Sequence, residues 1–403
     1  MNQEDPGLIG SHEAANRLDV QLETLYAYVS RGLIRSQPAS KGTGREKLYV
    51  KDDIERLAAK KEVRKDPELA ANSALSWGHP SLESELTLIA DGRFFYRGED
   101  ACLLGRKRNF EEVARFFWSG EWTSNWVFLK EGSISEEKLE SLHTVSAEMD
   151  WLERCQLYLP LHEEQCLLPR TDWVGTGEGV IDFLTSMACG DWKRGAVSEK
   201  LSAKWGLYPD DQDMIDEALI LSLDHELNVS SFTARCIAST NASLHACVIG
   251  ALSSFRGPKH GANIWRTQAF LREVESEGSV LKASKGRLRR GEVIPGFGHP
   301  LYGDEDPRSK RIFQMVQNER PGSKALELYK ELRSFGRERL RLLPNVDCGL
   351  ALLGMALELP EEAPVQIASI GRCAGWIGHA IEQRGFGTLI RPRARYVGKR
   401  PRR

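Results

Sequence analysis

From about Phe94 to the C-terminus, apolar residues recur at helical spacing over long stretches, alternating β-branched runs are few, and Pro or Gly stands at the breaks. That pattern predicts a mainly α-helical body. Just ahead of it, residues 86–92 read as a short extended piece that closes at an Asp-Gly turn. Ala234, Ala238, Ala242, Ala246 and Gly250 put a small residue at every fourth position. Such spacing predicts one buried helix with a straight small-residue stripe, along which a neighbouring backbone can approach closely. The N-terminal pattern is different. Residues 13–18 predict a short amphipathic helix, residues 19–21 a tight turn, and residues 22–29 a second helix ending near residues 30–34. A Gly-rich, basic stretch follows at residues 41–45, then the apolar Leu48-Tyr49-Val50 and a further helical pattern over residues 51–61. Residues 60–80 turn charged and then rich in Ala, Ser and Pro, as a linker does. The expected division is 1–67, a linker over 68–80, and 81–403. We find no internal repeat.

At 403 residues the chain can bury more than one core. A formal net charge of −2 gives no global field to recruit nucleic acid or an anionic membrane. The C-terminal residues 391–403 are the local exception, with seven basic residues and no acidic one. The start of the chain has no apolar core behind a basic segment, and no apolar stretch approaches the length of a bilayer. The eight cysteines are scattered without a Cys-x-x-Cys pair, which argues against a zinc site or a disulfide framework. A cytoplasmic protein with reduced thiols is the expectation.

Candidate chemistry gathers in five separated stretches. They are Asp224-His225-Glu226-Leu227-Asn228; Gly257-Pro258-Lys259-His260-Gly261; Pro295-Gly296-Phe297-Gly298-His299 followed by Asp306-Pro307-Arg308; Pro344-Asn345-Val346-Asp347; and residues 372–383. Arg372, Trp376 and His379 lie at i, i+4 and i+7 and so share a helical face. Asp304-Glu305-Asp306 could pass for a metal site, but reads as a solvated approach to Arg308. His12, His79, His143, His162 and His245 fall in no motif and are expected to be structural.

In order and spacing these stretches resemble the citrate synthase family from about residue 86 onward. The resemblance implies large and small helical domains, the small one spanning about 256–345. It implies condensation of acetyl-CoA with oxaloacetate and hydrolysis of citryl-CoA to citrate and CoA, with no metal and no bound cofactor. Asp347 would be the base, His260 the donor to the thioester oxygen, and His299 the group that polarises the ketone. Arg308 and Arg372 would bind the carboxylates of oxaloacetate, with His225 and Asn228 as further contacts and Trp376 and His379 as supports for Arg372. Arg391 would enter the partner's site in a homodimer. CoA would lie along Val293, Ile294, Pro295, Gly296, Phe297 and Gly298, with Asn345 and Arg341 nearby. Two departures stand out: His260 is followed by Gly261-Ala262-Asn263, where many relatives carry a second glycine, and residues 125–211 match nothing recognisable.

Residues 1–67 resemble winged helix-turn-helix domains of the MerR and excisionase type, with residues 42–45 as the wing. They carry twelve Lys/Arg against eleven Asp/Glu, so the unit is not strongly basic. Arg31, Arg35, Lys41, Arg45 and Lys47 would meet phosphates if it binds DNA. Two further readings stay open: a 2-methylcitrate synthase using propionyl-CoA, and a DNA-binding regulator that uses the fold as a metabolite sensor.

Overall fold

The computed structural model describes residues 8–31, 33–38, 47–51, 53–55, 57–58, 82–123, 128, 146–166 and 171–401. The chain divides into two compact units, Met1–Glu83 and Ser84–Arg403.

In the first unit β1 (Leu8–Gly10) leads directly into α1 (Ser11–Leu18), and α2 (Leu22–Ser30) follows after three residues. Asp19 closes α1 in the left-handed conformation, with φ 51°, and its N–H returns to the helix carbonyls. The strands β2 (Ser36–Pro38) and β3 (Lys47–Val50) pair antiparallel, and β1 joins the other edge of β3 in the order β1-β3-β2. Ala14, Ala15, Leu18, Leu25, Ile34, Tyr49 and Ile54 form its core. The two helices fall where the apolar spacing puts them; β1 is an addition, too short to show a period. The wing at 42–45 and the linker at 68–80 lie outside the described residues.

The second unit opens with a hairpin, β4 (Thr87–Ala90) and β5 (Arg93–Tyr96), turned at Asp91-Gly92 as the dipeptide predicts; β6 (Glu99–Asp100) adds a third strand. Helices follow: α3 (Ala101–Gly105), α4 (Phe110–Ser119), α5 (Trp151–Gln165), α6 (Trp173–Cys189), α7 (Val197–Lys204) and α8 (Gln212–Ser222). Next come α9 (Val229–Ala238), α10 (Leu244–Phe255), α11 (Asn263–Glu277), α12 (Val280–Arg289), α13 (Pro307–Glu319), α14 (Lys324–Phe335), α15 (Val346–Ala356) and α16 (Ala363–Phe386). The main apolar cluster is built around α16, of which nearly every residue from Ala363 to Ala380 is buried. A smaller cluster joins Phe270, Val274, Ile294, Tyr329, Leu332 and Leu352, uniting α11, α12, α14 and α15.

The small-residue stripe does not run along one helix. Asn241 adopts φ 62° and the Ser243 hydroxyl caps a new helix by accepting from the Ala246 N–H, so the stripe is split between α9 and α10. Ala234 and Ala238 are buried, and Gly250 leaves the space that the Ile237 side chain fills. The small residues thus serve a hairpin of two helices. Among the described residues no helix is long and apolar enough to cross a membrane.

Candidate active site

Helix ends position most of the groups. At the end of α8 the chain turns through Asp224, His225 and Glu226, the last held at φ 57°. Buried His225 faces Tyr302, with Nε2 and Oη 2.7 Å apart. Its ring meets that of His299 edge-on at 4.6 Å between centroids. His299 Nδ1 accepts the Leu301 N–H at 3.3 Å, which leaves the proton of the neutral ring on Nε2. Burial first, then the charge of Arg308, holds His299 down to about 4 and pushes His225 well below its ordinary value. Both rings are neutral at neutral pH.

His260 sits in the tight turn between α10 and α11. Burial, reinforced by Arg372, lowers it to about 3. Its Nε2 lies 2.8 Å from the Ser230 hydroxyl, which also accepts the indole N–H of Trp376 at 2.9 Å and lies 2.7 Å from Asn228 Oδ1. Ser230 has one proton for two acceptors. Given to His260, it places the imidazole proton on Nδ1; given to Asn228, it leaves that proton on Nε2. The tautomer of His260 therefore follows the Ser230 hydroxyl.

Asp347 stands in the first turn of α15, whose N-cap is Asn345. Asn263 donates its amide N–H to Asp347 Oδ2 at 2.7 Å. The carboxyl is partly buried by surface yet enclosed by protein, and this desolvation raises it to about 6.

The two arginines differ in how they are held. Arg308 is locked to Asp306 by a fork of two bonds, 3.0 and 2.8 Å, and both residues are buried. Asp306 also caps α13 and accepts the Val346 N–H at 3.0 Å. Arg372 gives only Nε, to the Ser222 carbonyl at 2.7 Å. Its positive charge bears on His225, His260, His299 and Asp347 alike. One cation thus ties together four stretches far apart in sequence.

The readings of residues 304–306 and of Trp376 and His379 need correction, and the other expected site residues are placed as follows. Asp304-Glu305-Asp306 is not a solvated approach: Asp306 pairs with Arg308 and Glu305 with Arg333, and only Asp304 faces solvent. No metal-ligand cluster occurs among the described residues. Asn228 is an N-cap, with Oδ1 accepting from Ser230 and Ser231 N–H and Nδ2 donating to Ser231 Oγ. Asn345 is likewise a cap, and its amide binds the Gly298 carbonyl at 3.1 Å. Trp376 and His379 do share the face of Arg372, but they support other groups: Trp376 holds Ser230, and His379 approaches Asp224 at 3.3 Å. Of the glycine-rich segment, Val293 is three-quarters exposed, whereas Ile294, Pro295 and Gly296 are buried. Gly296 and Gly298 take φ 86° and 74°, a region costly for any side chain, and Phe297 packs on Phe335. Arg391 is exposed on an extended tail and meets none of these groups within the chain. Sequence reasoning passed over Tyr302, Ser230 and Asn263; only their nearness to His299, Asn228 and His260 marks them.

Residues 194–393 match the family model described as citrate synthase, C-terminal domain. A putative citrate synthase 2 of Mycobacterium tuberculosis is 34% identical over 215 residues, 51% of this chain and 57% of that protein. A 2-methylcitrate synthase of Shewanella oneidensis is 35% identical over 193 residues, 47% of this chain and 52% of that protein. Among solved structures, citrate synthase from Thermotoga maritima MSB8 superposes with TM-score 0.69 at 25% identity, over 81% of this chain and 96% of that one. The fold is shared also with Thermoplasma acidophilum citrate synthase, solved as a ternary complex with carboxymethyl coenzyme A and oxaloacetate (TM-score 0.69, 21% identity, 80% of this chain and 95% of that one). The fold is that of the citrate synthases. Residues 194–393 are thus similar to the C-terminal domain of citrate synthases, and the chain matches little more than half the length of these curated relatives.

Proposed function

We propose that the second unit joins acetyl-CoA to oxaloacetate and hydrolyses citryl-CoA to citrate and CoA. The observation that carries this reading is the carboxyl of Asp347, raised to about 6, sharing the field of Arg372 with two histidines kept neutral. A base so tuned is ionised at neutral pH yet close to the pH at which it must accept a proton. It takes a proton from the thioester methyl while His260 donates to the thioester oxygen as that oxygen gains charge. The resulting carbon attacks the ketone of oxaloacetate, whose oxygen takes the His299 proton. Water then cleaves the thioester to a carboxylate and the CoA thiol. Arg372 and Arg308 hold the carboxylates.

The similarity to a 2-methylcitrate synthase favours testing propionyl-CoA beside acetyl-CoA. CoA release with each thioester and oxaloacetate is the assay. Asp347→Asn keeps the shape and removes the acceptor, so turnover should fall about 100- to 10,000-fold. Wild-type protein without CoA release from either thioester would sink the enzymatic reading and leave the metabolite sensor. For the dimer, Arg391→Ala and Asp347→Asn chains, each inactive alone, should restore activity when mixed.

For the first unit the reading is a winged helix-turn-helix that docks on duplex DNA. Support comes from two helices separated by a tight turn, with Glu23 and Tyr26 exposed on α2. Arg35 contributes less than its charge suggests, because Asp53 grips it through bonds of 2.9 and 3.0 Å. Gel shift at low salt, with affinity falling steeply as salt rises, is the test.

A further inference from the structure

We infer that Asn263 is a positioning residue that sets the rotamer and the proton affinity of Asp347; the inference rests on the condensation reading above. The Asn263 amide donates from Nδ2 to Asp347 Oδ2 at 2.7 Å. It fixes one oxygen and leaves Oδ1 to meet a substrate proton. Asn263 is also the first residue of α11, and its own N–H bonds to the His260 carbonyl at 2.9 Å. The same short turn therefore carries the enolate donor and the group that orients the base. The turn cannot shift independently. A side chain at Gly261 would collide with the Phe255 ring, and that ring meets His260 edge-on at 5.1 Å.

A neutral amide donor favours the charged carboxylate, and so opposes the burial that raises Asp347. Removing the donor should raise the proton affinity of the base without removing the base. The pH profile of kcat/KM is the measurement, in full-length protein. Wild type should lose activity as pH falls through about 6. Asn263→Ala should move that acid limb upward by about one pH unit, so that its deficit is large at pH 6 and much smaller at pH 8.5. Asn263→Asp keeps the size but sets a second carboxyl against Asp347; one proton shared by the pair should silence the enzyme at neutral pH. Asn263→Ala losing activity equally at every pH would overturn the inference, as would Asn263→Asp retaining wild-type turnover. If wild type itself releases no CoA, the condensation reading fails instead.

Discussion

Arg308 and Arg372 are alike in type and burial, but their partners differ, and substitution should separate them. Arg308→Ala strands Asp306, which is buried and also caps α13, so it should cost about 3–5 kcal/mol of stability. Arg372→Ala frees only a carbonyl partner and should chiefly weaken oxaloacetate binding. Thermal unfolding without and with oxaloacetate distinguishes the two: ligand-free melting should drop far more for Arg308→Ala, and ligand stabilisation should vanish in Arg372→Ala. Equal ligand-free melting would refute the assignment. If the second unit releases CoA as proposed, the acid limb of that activity should follow a single group, because burial holds His299 to about 4 and His260 to about 3, below Asp347 at about 6. The candidate groups could be named from the sequence because each stands in a stretch with unusual punctuation. Their supports were not. Nothing local reveals that Trp376 reaches Ser230, 146 positions away, or that Asn263 reaches Asp347, 84 positions away. Asn228 and Asn345 had a readable signal: each immediately precedes a helical pattern, the usual place of a cap.

At the scale of elements, helix existence was legible from apolar spacing, and the Asp-Gly hairpin from its turn. The break between α9 and α10 was missed because a four-residue spacing of small residues continues through it, while Ser239, Thr240, Asn241 and Ser243 carry the opposing signal. Tertiary packing gives the small positions their meaning. In α16 a Cβ on Gly375 would collide with the Leu223 carbonyl and stand 2.8 Å from Asp224 Oδ1, beside the turn that carries His225. Gly375→Ala should therefore force α16 from the end of α8, costing about 1–3 kcal/mol and weakening oxaloacetate binding. Gly385, in the same helix, has open space around it, so Gly385→Ala should be neutral or stabilising by up to about 1 kcal/mol. Melting temperatures and KM for oxaloacetate, measured on both variants, check the contrast.

Stability of the whole molecule carries its own pH dependence, away from the arginine-held site. Glu111, on α4, accepts the Val197 N–H through one oxygen at 2.7 Å, and its other oxygen is buried without a partner. Asp216, on α8, accepts the Phe110 N–H at 2.9 Å. Burial raises Glu111 to about 7, helped by Glu112 and Glu199, and raises Asp216 to about 8, where the charge of Glu111 adds to it. Such groups hold protons more tightly in the folded chain than in the unfolded one. The stability they contribute is therefore complete below the ordinary carboxylate range and is lost as pH rises through 7 and 8. Because the shift of Asp216 already contains the charge of Glu111, the two do not add, and the loss is on the order of 2–4 kcal/mol. Calorimetry should find a lower melting temperature at pH 9 than at pH 6.5, the reverse of an acid-labile protein. Glu111→Gln removes one titration and the repulsion on Asp216, so its melting temperature should depend less on pH over that window. A wild-type melting temperature that is flat or rising from pH 6.5 to 9 would show that the pair is not held protonated in the fold.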